Sequence, residues 1–217
     1  MPFAFPRASP ASIDSPDMRR AGRDLLSLAL MDARNHTLYL LALYEKALGA
    51  TKMVVTQSAE AEPLAWLAGH IGWFAEFWIG RNTQRALGSD CPHEPTHLAS
   101  IEPQADRWWN PQQAVPADRW TLDLPDLAAT RAYLLDTLEG TLELLEKAPD
   151  EDRALYFYRL ALFHEDLRGE QLITMAQTLG IGLPIDALGG LPVREPLLVP
   201  ATRWMLGSAP EGFAFDN

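Results

Sequence analysis

The chain of 217 residues is long enough for one large domain, and its 47% of hydrophobic residues can form a sizeable core. Lys and Arg number 18 against 29 Asp and Glu, so the net charge of -11 disfavours binding to nucleic acid or to an anionic membrane surface. Cys91 is the single cysteine, which excludes an internal disulfide and fits a reducing compartment. We find no signal peptide and no apolar run of about 20 residues, so we expect a cytoplasmic protein that does not enter a membrane.

The first predicted helix follows a proline-rich arm. Residues 1–15 are expected to form this flexible arm, and Ser15-Pro16 is a typical helix start because a capping hydroxyl precedes proline at the first helical position. Apolar residues keep helical spacing from there to about Leu48, and Gly49 provides a stop.

The second predicted helix is followed by a long connection. It runs from Pro63 to about Leu87, with Gly88 beyond it. The segment from Ser89 to Pro125 is rich in Pro, Trp and polar residues and shows no periodic element. We therefore expect it to pack as a connection across the other helices.

Two more helices and a tail complete the chain. The third helix is predicted from Pro125 to Lys147, and the fourth from Asp152 to Leu179, closed by Gly180. Residues 181–217 contain several prolines and are expected to form an extended tail. Four long helices with one long connection predict an all-α four-helix bundle over residues 16–180.

Two histidines lie on the apolar faces of the second and fourth predicted helices. His70 falls within the stripe of PLAWLAGHIGWFAEFW, and His164 shares a face with Phe157, Arg168 and Gln171. Helix bundles commonly build metal sites from such inward-facing side chains. Each histidine is also compatible with a purely structural role, as a hydrogen-bonded residue of the core.

Three segments carry a resemblance to a known family. Together, GHIGWFAEFWIGRN, ADRWWN and YRLALFHEDLRGEQ resemble the DinB-like N-terminal domain of the ergothioneine and selenoneine synthases. Those enzymes are non-haem iron proteins that join a sulfur or selenium donor to hercynine. The final RWMLGSAPEGFAFDN resembles the start of the family's second domain, which has the fold of formylglycine-generating enzymes.

The resemblance implies a set of metal ligands that this sequence only partly provides. In the family, one histidine on the second helix and two, spaced by four, on the fourth hold Fe(II). His70 and His164 match the first two positions, but Arg168 stands at the third. A guanidinium is permanently protonated and has no lone pair for a metal, so we expect Fe(II) to bind weakly or not at all. The other side chains expected to line this site are Gln171, Trp66 and Trp73.

A carboxylate could replace the missing ligand, although the candidates are unfavourably placed. Glu165 and Asp166 adjoin His164 in sequence, yet helical phase turns them away from it, and Glu76 is similarly off the stripe of His70.

Two functional interpretations remain open. In the first, the chain is the bundle half of an iron enzyme whose pocket is completed by a missing C-terminal domain or a partner. In the second, it is a non-catalytic scaffold that binds a small-molecule ligand or forms a homodimer. No catalytic residue is assigned in either case.

Other candidate sites are weaker. Cys91, His93, Glu94 and His97 resemble a zinc-protease motif, but the prolines of CPHEPTH predict a loop, which leaves only a Cys-His-His zinc clip. The tryptophans Trp108, Trp109 and Trp120 either line a ligand pocket or pack the connection against the core. His36 is expected to be structural.

Overall fold

Four long helices dominate the computed structural model, which describes residues 12–13, 15–49, 53–58, 61–184, 195–203, 207 and 213–215. They are α1 (Arg23–Leu48), α2 (Leu64–Ala75), α4 (Leu127–Glu146) and α5 (Asp152–Thr178). A short helix, α3 (Ala105–Trp109), lies in the connection between α2 and α4. No β-strand occurs within these ranges, and the predicted all-α four-helix bundle is confirmed.

Contacts between the helices show their directions. Tyr44, late in α1, donates to the carbonyl of Leu172, late in α5, while Arg159, early in α5, donates to the carbonyl of Ala21 just before α1. The two longest helices therefore run parallel. The short turn between α4 and α5 makes that pair antiparallel, and α2 runs alongside α4 in the same direction. Parallel neighbours need a long connection, which explains the length of residues 81–126.

A buried ion pair lies at the centre of the bundle, between two apolar clusters of the core. Arg34 of α1 and Glu165 of α5 form two hydrogen bonds of 2.7 and 3.0 Å, and their side chains are only 1% and 5% exposed. Thr37 donates to the same carboxylate at 2.9 Å, and Arg34 also donates to the carbonyl of Leu134 in α4. The pair thus links three of the four long helices.

The first two helices differ from their predicted bounds. Ser15 does accept a hydrogen bond from the Asp17 amide, but it caps a 3-10 turn over Pro16–Arg20 that breaks before α1. The helix predicted to reach Leu87 ends earlier, in a wide π-helical turn over Glu76–Gly80. The Asn82 side chain then accepts from the Gln84 amide, and this local bond competes with continued helix.

The buried carboxylate of Glu76 and the half-buried carboxylate of Asp106 attach the long connection to α2. Glu76 accepts hydrogen bonds from Tyr133, Ser100 and the amide of Ile101 at 2.6 to 3.0 Å. Asp106 of α3 accepts two from Arg81 and one from the Trp73 indole, all at 2.8 Å. The segment that lacked periodicity therefore contains short helices held by polar side chains, and these contacts bring α3 against α2.

The two ends of the chain are described only in part. Most of the expected arm, residues 1–15, and much of the tail, residues 181–217, lie outside the described residues. In the tail, residues 195–203 contain no helix or strand, and Phe213 packs against Tyr156 and Phe163 of α5 with ring centroids 5.4 and 5.3 Å away. No helix within the described ranges has the length and hydropathy needed to cross a membrane.

Candidate functional site

His70 lies in the middle of α2 and is 2% exposed. Its ring stacks on Trp66 with centroids 4.7 Å apart and on Trp73 at 5.6 Å. Nδ1 lies 2.9 Å from the carbonyl oxygen of Trp109, at the end of α3. Because a carbonyl only accepts, Nδ1 carries the proton and Nε2 keeps a free lone pair. Burial lowers the pKa of His70 to about 3, so the ring is neutral at physiological pH.

The approach of Trp109 to His70 depends on a glycine. A Cβ atom placed on Gly69 would lie 2.0 Å from Cε2 and 2.1 Å from Nε1 of the Trp109 indole. Trp109 is 1% exposed and also stacks on Tyr133, so the ring has little room to move. Gly69 therefore permits the contact that fixes the tautomer of His70.

His164 of α5 meets His70 in the interior, as the helical phases predict. The two imidazole centroids are 5.1 Å apart in an edge-to-face arrangement, and His164 stacks on Phe74 at 3.7 Å. Nε2 of His164 accepts a hydrogen bond of 3.2 Å from Nε of Arg168. Nδ1 must then carry the proton, and it is buried without a partner among the described residues. Burial lowers the pKa of His164 to about 2, and the charge of Arg168 adds to this effect.

Arg168 lies one turn beyond His164 and is half-buried. Besides His164, it donates from Nη1 to Oε1 of Gln171 at 2.8 Å. A buried guanidinium here is expected to meet an acidic side chain, backbone carbonyls or a bound anion, and its hydrogen-bond partners among the described residues are two neutral side chains. Burial accordingly lowers the pKa of Arg168, and the attraction of Glu62 only partly offsets this.

A second guanidinium borders the site, which sequence reasoning missed. Arg119, in the connection, lies over the Trp66 ring at 3.7 Å and is 8% exposed. It donates to Oε1 of Glu62 at 2.6 Å and to the carbonyl of Ala114 at 2.9 Å. Arg119 and Glu62 are 57 residues apart and lie outside the periodic helices, so no sequence pattern predicts their pairing.

The donor set does not fit a three-ligand metal centre. Within the described part of the chain, no three His, Cys, Asp or Glu side chains come together where they could hold an ion. Glu165 is engaged by Arg34, and Asp166 is exposed, so neither carboxylate replaces the missing ligand. The lone pair of His164 Nε2, which a metal would need, is instead occupied by the N–H of Arg168.

The weaker candidates separate in the structure. His97 packs against Phe77 with ring centroids 3.9 Å apart, whereas His93 is exposed and the Cys91 thiol contacts Asn82. The suggested Cys-His-His zinc clip is therefore wrong for these residues, because the three side chains form no common ligand set.

The tryptophans of the connection do not form one pocket, and His36 lies at the surface. Trp108 and Trp109 touch each other at 5.4 Å, while Trp120 packs on a different cluster of the core. His36 is exposed on α1, where its ring lies close to Gly169 of α5.

Comparison with known proteins agrees with this architecture. The chain is 30% identical over 166 residues to a hercynine oxygenase of Mycolicibacterium smegmatis, a match that covers 71% of the chain and confirms the resemblance predicted from its motifs. The match covers 36% of that relative, so this chain corresponds to little more than a third of its length. The sequence profile of the DinB superfamily matches residues 29–176, which include α2, α4, both histidines and Arg168. The chain therefore belongs to the DinB superfamily.

Proposed function

We propose that this chain is a metal-deficient relative of the bundle domain of hercynine oxygenase, which acts as a small-molecule-binding domain without iron. The observation that carries the proposal is the hydrogen bond from Arg168 Nε to His164 Nε2. It places a fixed positive charge at the position where the family resemblance implies the third histidine ligand.

The arrangement opposes metal binding in two ways. A metal at His164 would have to displace the guanidinium, because both need the same lone pair of Nε2. The displaced cation would remain one helical turn away and repel a divalent ion. His70, by contrast, retains the form of a ligand, since its Nδ1–H is held by a carbonyl and its Nε2 is free.

The remaining interior is suited to binding. Two neutral imidazoles, the Trp66 and Trp73 rings and two guanidiniums combine flat apolar faces with a few directional donors. Such a mixture is typical of small-molecule sites in bundles. A partner domain or a second copy of the chain remains compatible with this role.

The test is an anaerobic titration with Fe(II) of the wild type, Arg168→His and the control Arg131→His. Arg131 is a partly exposed arginine of α4 that pairs with Glu45 at 2.9 Å. We expect stoichiometric binding only in Arg168→His, because it restores a histidine pair spaced by four that can join His70 in a three-histidine set.

One outcome would contradict the proposal, and a second would contradict the role that it gives to Arg168. Wild-type protein that binds Fe(II) as tightly as Arg168→His would show that Arg168 does not exclude the metal. Binding by neither protein would show that some other property of the interior does so, and that Arg168 is not the cause.

A further inference from the structure

Arg168 has hydrogen-bond donors that the described side chains leave without an acceptor. Its Nε donates to His164 and its Nη1 to Gln171, both of which are uncharged. None of the hydrogen bonds or ion pairs of the described residues engages Nη2, which carries two hydrogens. Arg168 is half-buried, so part of the residue remains exposed to solvent.

The charges around Arg168 do not balance. Arg119 lies over Trp66, which in turn stacks on His70, so both guanidiniums border the same aromatic cluster. Glu62 pairs with Arg119 at 2.6 Å and also attracts Arg168, while the two arginines repel each other. Two cations thus share one carboxylate, and one positive charge is left over in a protein whose net charge is -11.

Three buried N–H groups around His70 lack a hydrogen-bond acceptor among the described residues. They are the indole N–H groups of Trp66 and Trp109 and the Nδ1–H of His164, each buried without a partner among the described residues. All three side chains belong to residues that contact His70. Buried donors without acceptors are costly, so this interior is complementary to a ligand that accepts hydrogen bonds.

We propose that Arg168 binds a small monocarboxylate at its Nη2 side, an inference that rests on the metal-free binding role proposed above. A carboxylate accepts short, charge-assisted hydrogen bonds from a guanidinium. Its single negative charge balances the single excess positive charge. A phosphate dianion would exceed that charge, and Glu62 would repel it more strongly than it repels a monoanion.

The experiment is a titration of isotopically labelled, metal-free protein with sodium acetate at constant ionic strength, followed by amide and indole 1H–15N chemical shifts. Acetamide serves as the neutral ligand of the same shape, and phosphate as the dianion. We expect acetate to shift the amides around Arg168 in the wild type, and to bind more tightly than either acetamide or phosphate. Arg168→Gln should weaken acetate binding about tenfold or more, because a charge-assisted bond is lost.

Two further variants complete the design. Arg131→Gln removes a partly exposed arginine elsewhere and should bind acetate like the wild type. Arg168→Lys keeps the charge but loses the guanidinium fork, so its affinity should lie between those of the wild type and Arg168→Gln. If Arg168→Gln does not fold, the comparison of Arg168→Lys with the wild type decides.

The outcomes distinguish this inference from the proposed function. Equal affinity for acetate and acetamide, tighter binding of phosphate, or unchanged acetate binding after substitution of Arg168 would overturn the inference. If the wild type binds neither Fe(II) nor acetate, the inferred carboxylate site is wrong but the proposed function is not contradicted. If the wild type binds Fe(II) tightly, the proposed function fails whatever the acetate titration shows.

Discussion

A single methyl group at Gly69 tests the packing that holds His70. A Cβ atom at this position would lie 2.0, 2.1 and 2.5 Å from three atoms of the Trp109 indole. Ordinary contacts between carbon atoms are about 3.5–4.0 Å, so the ring would have to move by roughly 1.5 Å. Gly69→Ala should therefore displace Trp109 and loosen the bond between its carbonyl and His70 Nδ1.

The magnitude follows from two opposing effects. Overpacking a core costs about 1–3 kcal/mol, and a severe clash belongs at the upper end of that range. Replacing a helical glycine by alanine stabilises the helix by about 1 kcal/mol, because alanine has the higher helix propensity. We expect Gly69→Ala to lower the free energy of unfolding by about 2 kcal/mol net.

Gly140 provides the matched control, since it is also a helical glycine but has no atom within 4 Å of an added Cβ. Gly140→Ala should raise the free energy of unfolding by about 0.5–1 kcal/mol. The two variants should thus differ by about 3 kcal/mol, which corresponds to roughly 6–12 °C in melting temperature for a chain of this size.

Thermal unfolding followed by circular dichroism measures this difference, and the 15N shifts of the His70 ring report its tautomer. Equal melting temperatures for the two variants would refute the reasoning, because they would show that Trp109 is not confined against α2.

Two further predictions concern charged groups. Arg34→Ala should lower the free energy of unfolding by about 3–5 kcal/mol, because it leaves Glu165 charged and buried without a partner. Arg131→Ala, which breaks a partly exposed pair, should lower it by at most about 1 kcal/mol. Similar urea midpoints for the two variants would contradict this prediction. Asp166 is exposed on α5 but lines a cleft with Asp32, and desolvation of its carboxyl there, together with repulsion from Glu165 and Asp32, raises its pKa to about 6. The native state then holds this proton more tightly than the unfolded chain, so the contribution of Asp166 to stability falls as the pH rises from about 4 to 6. In urea unfolding, the stability of Asp166→Asn relative to the wild type should be greater at pH 7 than at pH 4. Asp136→Asn, at an exposed position on α4, should show no such dependence on pH.

The helices and the meeting of the two histidines were predictable because both depend on periodicity. Long apolar stripes determine which face of each helix is buried, and His70 and His164 lie on those faces. The end of α2 was predicted less well, because the apolar pattern continues through Phe77–Ile79 although the backbone changes to a wider turn. Apolar periodicity indicates which residues are buried, but it does not distinguish the hydrogen-bond pattern of an α-helix from that of a π-helical turn.

The surroundings of the histidines could not be predicted in the same way. The carbonyl that orients His70 belongs to a residue 39 positions away, in a segment without periodicity. Its position depends on Glu76 and Asp106, which attach the connection to α2 through tertiary contacts. The contact of Arg168 with His164 was predictable, because residues spaced by four in sequence are neighbours on one face of a helix.

The buried pair of Arg34 and Glu165 also restricts how the bundle can be assembled. Sliding α1 along α5 by one turn would separate the two charges and leave both inside the core, at a cost of several kcal/mol. Apolar contacts alone tolerate such a shift far better, because one leucine can replace another. The ion pair therefore sets the register of the two longest helices. His164 directly precedes Glu165, so the same register fixes the height of its imidazole along α1.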